Sequence, residues 1–306
     1  MKINILVEGG IGDLMLATRF IAATREKYPV AYITVFVNND HNEKFNEYIL
    51  KHWGHLFDAY EPEVTRLNKN HTIQSQFGSE HYPAAFNNIA PEWRKKMLDC
   101  DRFYNFHLDA LTYFDYPDIP WFKYVRHIPT PRDIPKLQGL PGKFVALNLY
   151  ARPGHFSAIT KEASDKIIEN LRDSIGVVIL APSEEVRDTF YEKHKDLVRV
   201  TDLSESLGIA ARSELGLSLD SGLRYMFYAN SKICFTFCGL IQQPGQVSAS
   251  HIARWYPWPE HMLPLTANPA FVSSLVENAV ENPACQMFPL IPAKDINQAI
   301  IKRQYA

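Results

Sequence analysis

Cysteine is scarce in this 306-residue chain, which holds only Cys100, Cys234, Cys238 and Cys285. Cys234 and Cys238 lie four apart in an apolar run with no second pair, which argues against a zinc site and for buried free thiols. Long apolar stretches are missing too, and none reaches the roughly 18 residues of a membrane span. The first apolar run is broken by glycines and by Asp13. No signal peptide is therefore expected, and a reducing cytoplasm is the expected location. Charge of one sign is not in excess, with 32 basic against 34 acidic residues and a net charge of −2. Non-specific nucleic-acid binding is not indicated, although a local basic cleft would be compatible with that balance. His52 and His55 stand three apart on an expected helix without a nearby third ligand, and read as a surface pair rather than a metal site. Low-complexity tracts and short repeats are absent.

What is present points to a globular α/β protein. The hydrophobic fraction is 46% and the aromatic fraction 12%, enough for real cores. The length suits two domains of ordinary size. Residues 1–38 read as strand, loop, helix, strand, with Pro29 closing the helix. Residues 41–62 read as helix then strand, with Phe45, Tyr48, Ile49, Trp53 and Leu56 on the buried side. Residues 64–98 are polar with scattered aromatics and are the least legible part. Asp101–Phe106 reads as a strand. Residues 109–135 hold Pro117, Pro120, Pro129, Pro131 and Pro135, a density that discourages regular structure and suggests the approach to a linker.

A second α/β series begins at Lys143. Strands are expected over 144–149, 176–181, 198–200, 215–219 and 232–237. Helices are expected over 160–171, 186–194, 204–211 and 223–229, with Thr160 as a cap. Two further helices are expected over 271–278 and 293–304. The alternation predicts doubly wound parallel sheets in both halves. The expected domains are 1–138 and 139–282, with 283–306 as a C-terminal segment whose helix packs back on the first.

The most informative stretch is Val7-Glu8-Gly9-Gly10-Ile11-Gly12-Asp13-Leu14. It is a glycine turn between a strand and a helix, where backbone can come close to a ligand and helix amides are left without partners. A dinucleotide fingerprint would need a glycine at Met15, and a phosphate-binding P-loop would need lysine where Asp13-Leu14 stands. Asp13 is either a helix cap or a catalytic group. Asp220-Ser221-Gly222, which runs from a buried strand into a helix, repeats the arrangement. Ser221 offers a hydroxyl, Gly222 permits close approach, and the next amides, from Leu223 on, would suit a diphosphate.

The pair Gly10-Ile-Gly-Asp-Leu-Met-Leu-Ala-Thr18 and Leu219-Asp-Ser-Gly-Leu-Arg-Tyr225 resembles the ADP-heptose:lipopolysaccharide heptosyltransferases, glycosyltransferase family 9. Tyr28-Pro29 at the end of the first helix fits the same pattern, and Phe237-Cys238-Gly239 at the end of a later strand departs by one residue from the Phe-Gly pair the family has there. The resemblance spans most of the chain and is weakest over 40–140. It departs at Tyr225, where the family usually has histidine, and near Ser157, where it usually has lysine. Arg152, His155 and Lys161 are the candidates to supply that charge.

The resemblance implies the GT-B fold, two facing Rossmann-like doubly wound parallel-sheet domains with a cleft between them. It implies an inverting glycosyltransferase that needs no metal or other cofactor and takes a nucleotide sugar as substrate. Asp13 would be the catalytic base, in a turn with Gly10 and Gly12 on the acceptor side. Asp220, Ser221, Gly222 and Leu223, with Arg152, His155 or Lys161, would hold the donor. The partners would be a nucleotide-sugar donor and a glycan, glycolipid or other hydroxyl acceptor, with peripheral membrane contact through a lipid-borne acceptor. The rival readings are transfer to another hydroxyl, such as a modified DNA base, and a nucleotide- or sugar-binding module that has lost catalysis.

Overall fold

The structure, a computed structural model, describes residues 1–8, 11–38, 50, 53–62, 64, 89–105, 139–151, 157–230, 232–239 and 261–282. These fall into two compact units, 1–105 and 139–282. Gly10, Phe45, Tyr48, Ile49, His52, Arg152, His155 and the expected helix over 293–304 lie outside the described residues.

The first unit is built on β1 (Lys2–Glu8), whose inner residues Ile3, Ile5, Leu6 and Val7 are all buried. A strand this apolar, with only Asn4 polar among its inner residues, belongs in the middle of a parallel sheet. β1 pairs in parallel on one side with β2 (Tyr32–Asn38) and on the other with β4 (Arg102–Asn105). β3 (Ala59–Glu61) extends the sheet beyond β2. The order is β3-β2-β1-β4.

Helix α1 (Ile11–Lys27) follows β1 and buries Leu14, Ala17, Phe20, Ile21 and Thr24, the spacing expected of one helix face. Trp53 and Leu56 are buried as expected, whereas His55 is exposed. In the stretch that was hardest to read, Pro91 opens a short helix, α2 (Pro91–Leu98), where its missing N–H costs nothing. Met97 of α2 joins Leu6, Phe36, Val64 and Ile89 in one apolar cluster. The buried Asn4 side chain donates to the Met97 carbonyl at 2.8 Å, which ties the end of α2 to β1.

Among the described residues the second unit holds six strands: β5 (Phe144–Asn148), β6 (Gly176–Ala181), β7 (Val198–Val200), β8 (Gly216–Leu219), β9 (Cys234–Phe237) and β10 (Met262–Leu263). All pairings are parallel and the order is β10-β9-β8-β5-β6-β7. Helix α3 (Lys161–Arg172) starts at the expected cap, the Thr160 hydroxyl accepting from the Ala163 amide. The helix expected over 186–194 is broken up. Ser183 caps a shorter helix, α4 (Glu184–Thr189), and a 3-10 segment, Glu192–Leu197, leads into β7. His194 leaves helical geometry there, at φ −128° and ψ 25°.

Helix α5 (Leu203–Arg212) begins at a capping box in which Asp202 and Glu205 each bond the other's backbone amide. Helix α6 (Gly222–Ala229) follows β8, and α7 (Pro269–Glu281) is capped by Asn268. The inner faces of α3 and α7 meet the sheet in a core that includes Leu147, Ile167, Ile179, Leu217, Phe235 and Val276.

Both sheets are wound alike. In each the chain starts in an interior strand and lays the next two to one side. It then returns to the other side of the first strand. This is the Rossmann order, complete in the second unit and four-stranded in the first. In such a sheet the connections leave in opposite directions at one place, and a crevice opens at the carboxyl ends of the two strands there. The place lies between β1 and β4 in the first unit and between β5 and β8 in the second.

Candidate functional site

Two strand-to-helix connections lie at these switch points. In the first unit β1 ends at Glu8 and α1 begins at Ile11. The helix therefore starts inside the stretch read from the sequence as a glycine turn. Gly12 and Asp13 are therefore the second and third residues of the helix, not part of the loop before it. This alters the choice posed by the sequence. A cap precedes the first helical residue, whereas Asp13 is the third residue of the helix. Leu14, Met15 and Ala17, all buried, fix the helix beneath it.

In the second unit β8 ends at Leu219 and α6 begins at Gly222. Asp220 and Ser221 make the turn, and both are partly exposed. The Asp220 amide donates to the Phe237 carbonyl of β9 at 2.9 Å, so the turn is fastened to the neighbouring strand. Ser221 stands at the cap position, yet its side chain makes no capping bond; its hydroxyl is 3.4 Å from that of Ser218. The amides of Gly222 and Leu223 open the helix, and no hydrogen bond occupies them among the described residues. That is the anion-binding arrangement of a helix N-terminus.

Two further contacts shape the same edge. The Gly239 amide, just past β9, donates at 3.2 Å to the hydroxyl of Ser157 in the connection after β5. Cys238 is buried, and its sulfur lies 3.9 Å from a carboxylate oxygen of Asp220.

The Asp220 carboxylate has a charged partner at the start of the same helix. It pairs with Arg224 at 2.7 Å, one helical turn on, and the two side chains are 10% and 4% exposed. The guanidinium also lies over the Tyr225 ring, 4.3 Å from its centre, and donates to the Tyr225 hydroxyl. Tyr225, at the position where the family usually has histidine, is buried with Arg224. Behind them the Tyr228 hydroxyl donates to the Cys234 carbonyl at 3.1 Å. Burial raises the Tyr228 phenol well above its ordinary pKa and pushes the Cys234 thiol up to about 12, so both stay uncharged.

Lys161, one candidate for the missing basic group, opens α3. Its ammonium donates to the Thr189 carbonyl at 2.9 Å and pairs with Glu192 at 3.2 Å, contacts that draw it to the end of α4. Arg224 was not anticipated from the sequence. The signal was there, because Asp220 and Arg224 stand four apart across the start of a helix, the spacing at which opposite charges meet.

No family model matches the sequence, and a search of curated proteins finds no relative. Solved structures do match in fold. Heptosyltransferase WaaC of E. coli, with ADP, aligns over 91% of this chain and 99% of its own, at 12% identity and a TM-score of 0.50. The ADP-heptose lipopolysaccharide heptosyltransferase II of E. coli aligns over 92% and 99%, at 13% identity and 0.51. MnaA of S. aureus, in a co-structure with UDP, aligns over 98% and 95%, at 11% identity and 0.53. The chain thus has the two-unit parallel α/β fold of the GT-B type that these heptosyltransferases share. No described helix is long and apolar enough to cross a membrane.

Proposed function

We propose that the protein is an inverting glycosyltransferase that moves a sugar from a nucleotide-sugar donor to a hydroxyl acceptor. The observation that carries the reading is the pairing of two strand-to-helix connections. Each stands at the switch point of its own sheet; one carries Asp13 in the first turn of a helix, and the other presents unoccupied amides at the start of α6. Neighbours with this fold were solved with ADP and with UDP, which suits a nucleotide diphosphate as the ligand.

In this reading the first unit receives the acceptor and the second holds the donor. Asp13 takes the proton of the acceptor hydroxyl as that oxygen attacks the anomeric carbon. The bond from the anomeric carbon to the diphosphate breaks, and the leaving oxygens gain charge. The Gly222 and Leu223 amides and the Ser221 hydroxyl meet that charge. Fixed backbone dipoles suit this task because they need not reorganise as the charge develops. No metal ion is required by this scheme. The acceptor is a glycan or another hydroxyl compound, and a lipid-borne glycan would bring the protein to a membrane surface.

A thermal-shift screen of nucleoside diphosphates and nucleotide sugars tests the reading directly. A ligand that binds the folded state alone raises the melting temperature, by about 2.7 kcal/mol of stabilisation at a hundredfold excess over Kd. At least one base is expected to produce a saturable shift. No shift with any nucleoside diphosphate or nucleotide sugar would overturn the proposal.

A further inference from the structure

We propose that Arg224 is a positioning residue for the diphosphate turn. Through its ion pair with Asp220 it holds the Gly222 and Leu223 amides in aim and keeps the Asp220 charge away from the ligand. The inference rests on the donor-site reading above and adds a residue to it.

The geometry makes the pair a brace across the turn. Asp220 is the first residue after β8, and Arg224 is the third residue of α6. Their 2.7 Å contact spans Ser221, Gly222 and Leu223, the three residues assigned to the ligand. One end of the brace is fixed because the Asp220 amide is bonded to Phe237 in β9. The other is fixed because the Arg224 side chain is 4% exposed and its guanidinium is held against the ring and hydroxyl of Tyr225.

Two physical points favour positioning over simple stability. A buried ion pair is on average no more stabilising than apolar side chains of the same size, so its use is better explained by registry. A carboxylate without a counter-charge beside a diphosphate site would also repel the ligand, and the repulsion is strong at a partly buried place. Arg224 removes that charge without spending any of the amides. It also explains why Tyr225 is turned inward: the ring forms one wall of the guanidinium's seat.

The test uses the full chain and whichever of ADP, UDP, GDP, CDP and dTDP binds the wild type. Calorimetric affinity is measured beside melting temperature for Arg224→Met, for Arg224→Lys and for the double variant Asp220→Asn/Arg224→Met. Arg224→Met strands a carboxylate and should lose both stability and affinity. The double variant removes both charges and should regain much of the stability, yet its affinity should remain at least about tenfold below wild type, since charge-assisted bonds to misaimed amides are lost. Arg224→Lys keeps the charge but not the planar fork, and should fall between.

A double variant with recovered stability and wild-type affinity would overturn the inference, leaving the pair a structural feature only. Should the Met-containing variants fail to fold, Arg224→Lys decides. Weaker binding at an unchanged melting temperature supports the inference, and unchanged binding overturns it. A wild type that binds none of the five would instead overturn the donor-site reading itself.

Discussion

Replacing Gly216 with alanine should loosen the second unit and blunt its ligand turn. Gly216 is the first residue of β8, and its amide donates to the Ile233 carbonyl at 2.8 Å. A Cβ there would stand 2.7 Å from Cγ, Cδ2 and Cε2 of Phe227. Carbon atoms pack best at about 3.5–4.0 Å, so the ring must retreat by roughly 1 Å. Phe227 is fully buried on α6 and cannot swing into solvent. Overpacking of this kind costs about 1–3 kcal/mol. The lower chain entropy of unfolded alanine returns about 0.4–1 kcal/mol. The net loss spans about 0–2.6 kcal/mol, and its midpoint of about 1.3 kcal/mol is a fall in Tm of about 3–5 °C for a unit of this size. Differential scanning calorimetry measures the shift. Phe227→Leu narrows the side chain, so the two substitutions should couple favourably in a double-mutant cycle by about 1 kcal/mol. Nucleoside diphosphate affinity should drop with the first substitution, because α6 carries the Gly222 amide. A Tm at or above wild type for Gly216→Ala would show that β8 and α6 do not approach as described.

Three further outcomes follow from the proposed chemistry. Asp13→Asn should leave Tm within about 4 °C of wild type, since a carboxylate at this place in a helix adds only about 0.3–1 kcal/mol. Turnover of the nucleotide sugar identified by screening should fall about 10²–10⁴-fold, and turnover within about threefold of wild type would place the base elsewhere. Gly222→Val puts a branched side chain where phosphate must meet the α6 backbone; titration calorimetry should show affinity lost in a variant that still folds, and intact affinity would detach this turn from the donor. Transfer should continue in excess EDTA, because helix amides rather than a cation offset the phosphate charge in this scheme; activity lost to EDTA and restored by Mg²⁺ or Mn²⁺ would refute it.

The fold was legible because parallel sheets write themselves as short apolar strands spaced by amphipathic helices. The 176–181 and 198–200 strands were read with their observed bounds, and Thr160 capped the helix it was expected to cap. Local signals misled where a backbone choice outweighed side-chain periodicity. Gly12 and Asp13 carry no apolar information, so they were read as part of the glycine turn, whereas the helix begins at Ile11 and includes them. The break after Thr189 was hidden because Phe190 and Tyr191 continue an apolar pattern while leaving the helix. Helix α2 was missed because only Met97 among its eight residues is buried, too little to show a period. At the turn after β8, the sequence did not show the direction of the Asp220 side chain. That direction depends on Arg224 and Tyr225 packing together, which is a tertiary fact rather than a motif.

The all-parallel winding of the sheets sets a schedule for how the chain can assemble. No pair of described strands is a hairpin, so even strands adjacent in sequence pair in parallel, across a crossover connection rather than a tight turn. Ile3 in β1 pairs with Arg102 in β4. During synthesis at roughly 5–20 residues per second, one edge of β1 must stay open for several seconds before its partner exists. It is an apolar edge, the kind that recruits other chains. In the second unit β5 likewise waits for β8, which arrives only after α3, β6, β7 and α5. The turn after β8 therefore forms late, and the ligand edge is completed only when β9 has closed against it. Refolding should accordingly be slow, as high-contact-order sheets are, and stopped-flow fluorescence of refolding should show recovery of ligand binding trailing the bulk of the secondary structure. Ligand binding that returned together with the first secondary structure would contradict this order of events.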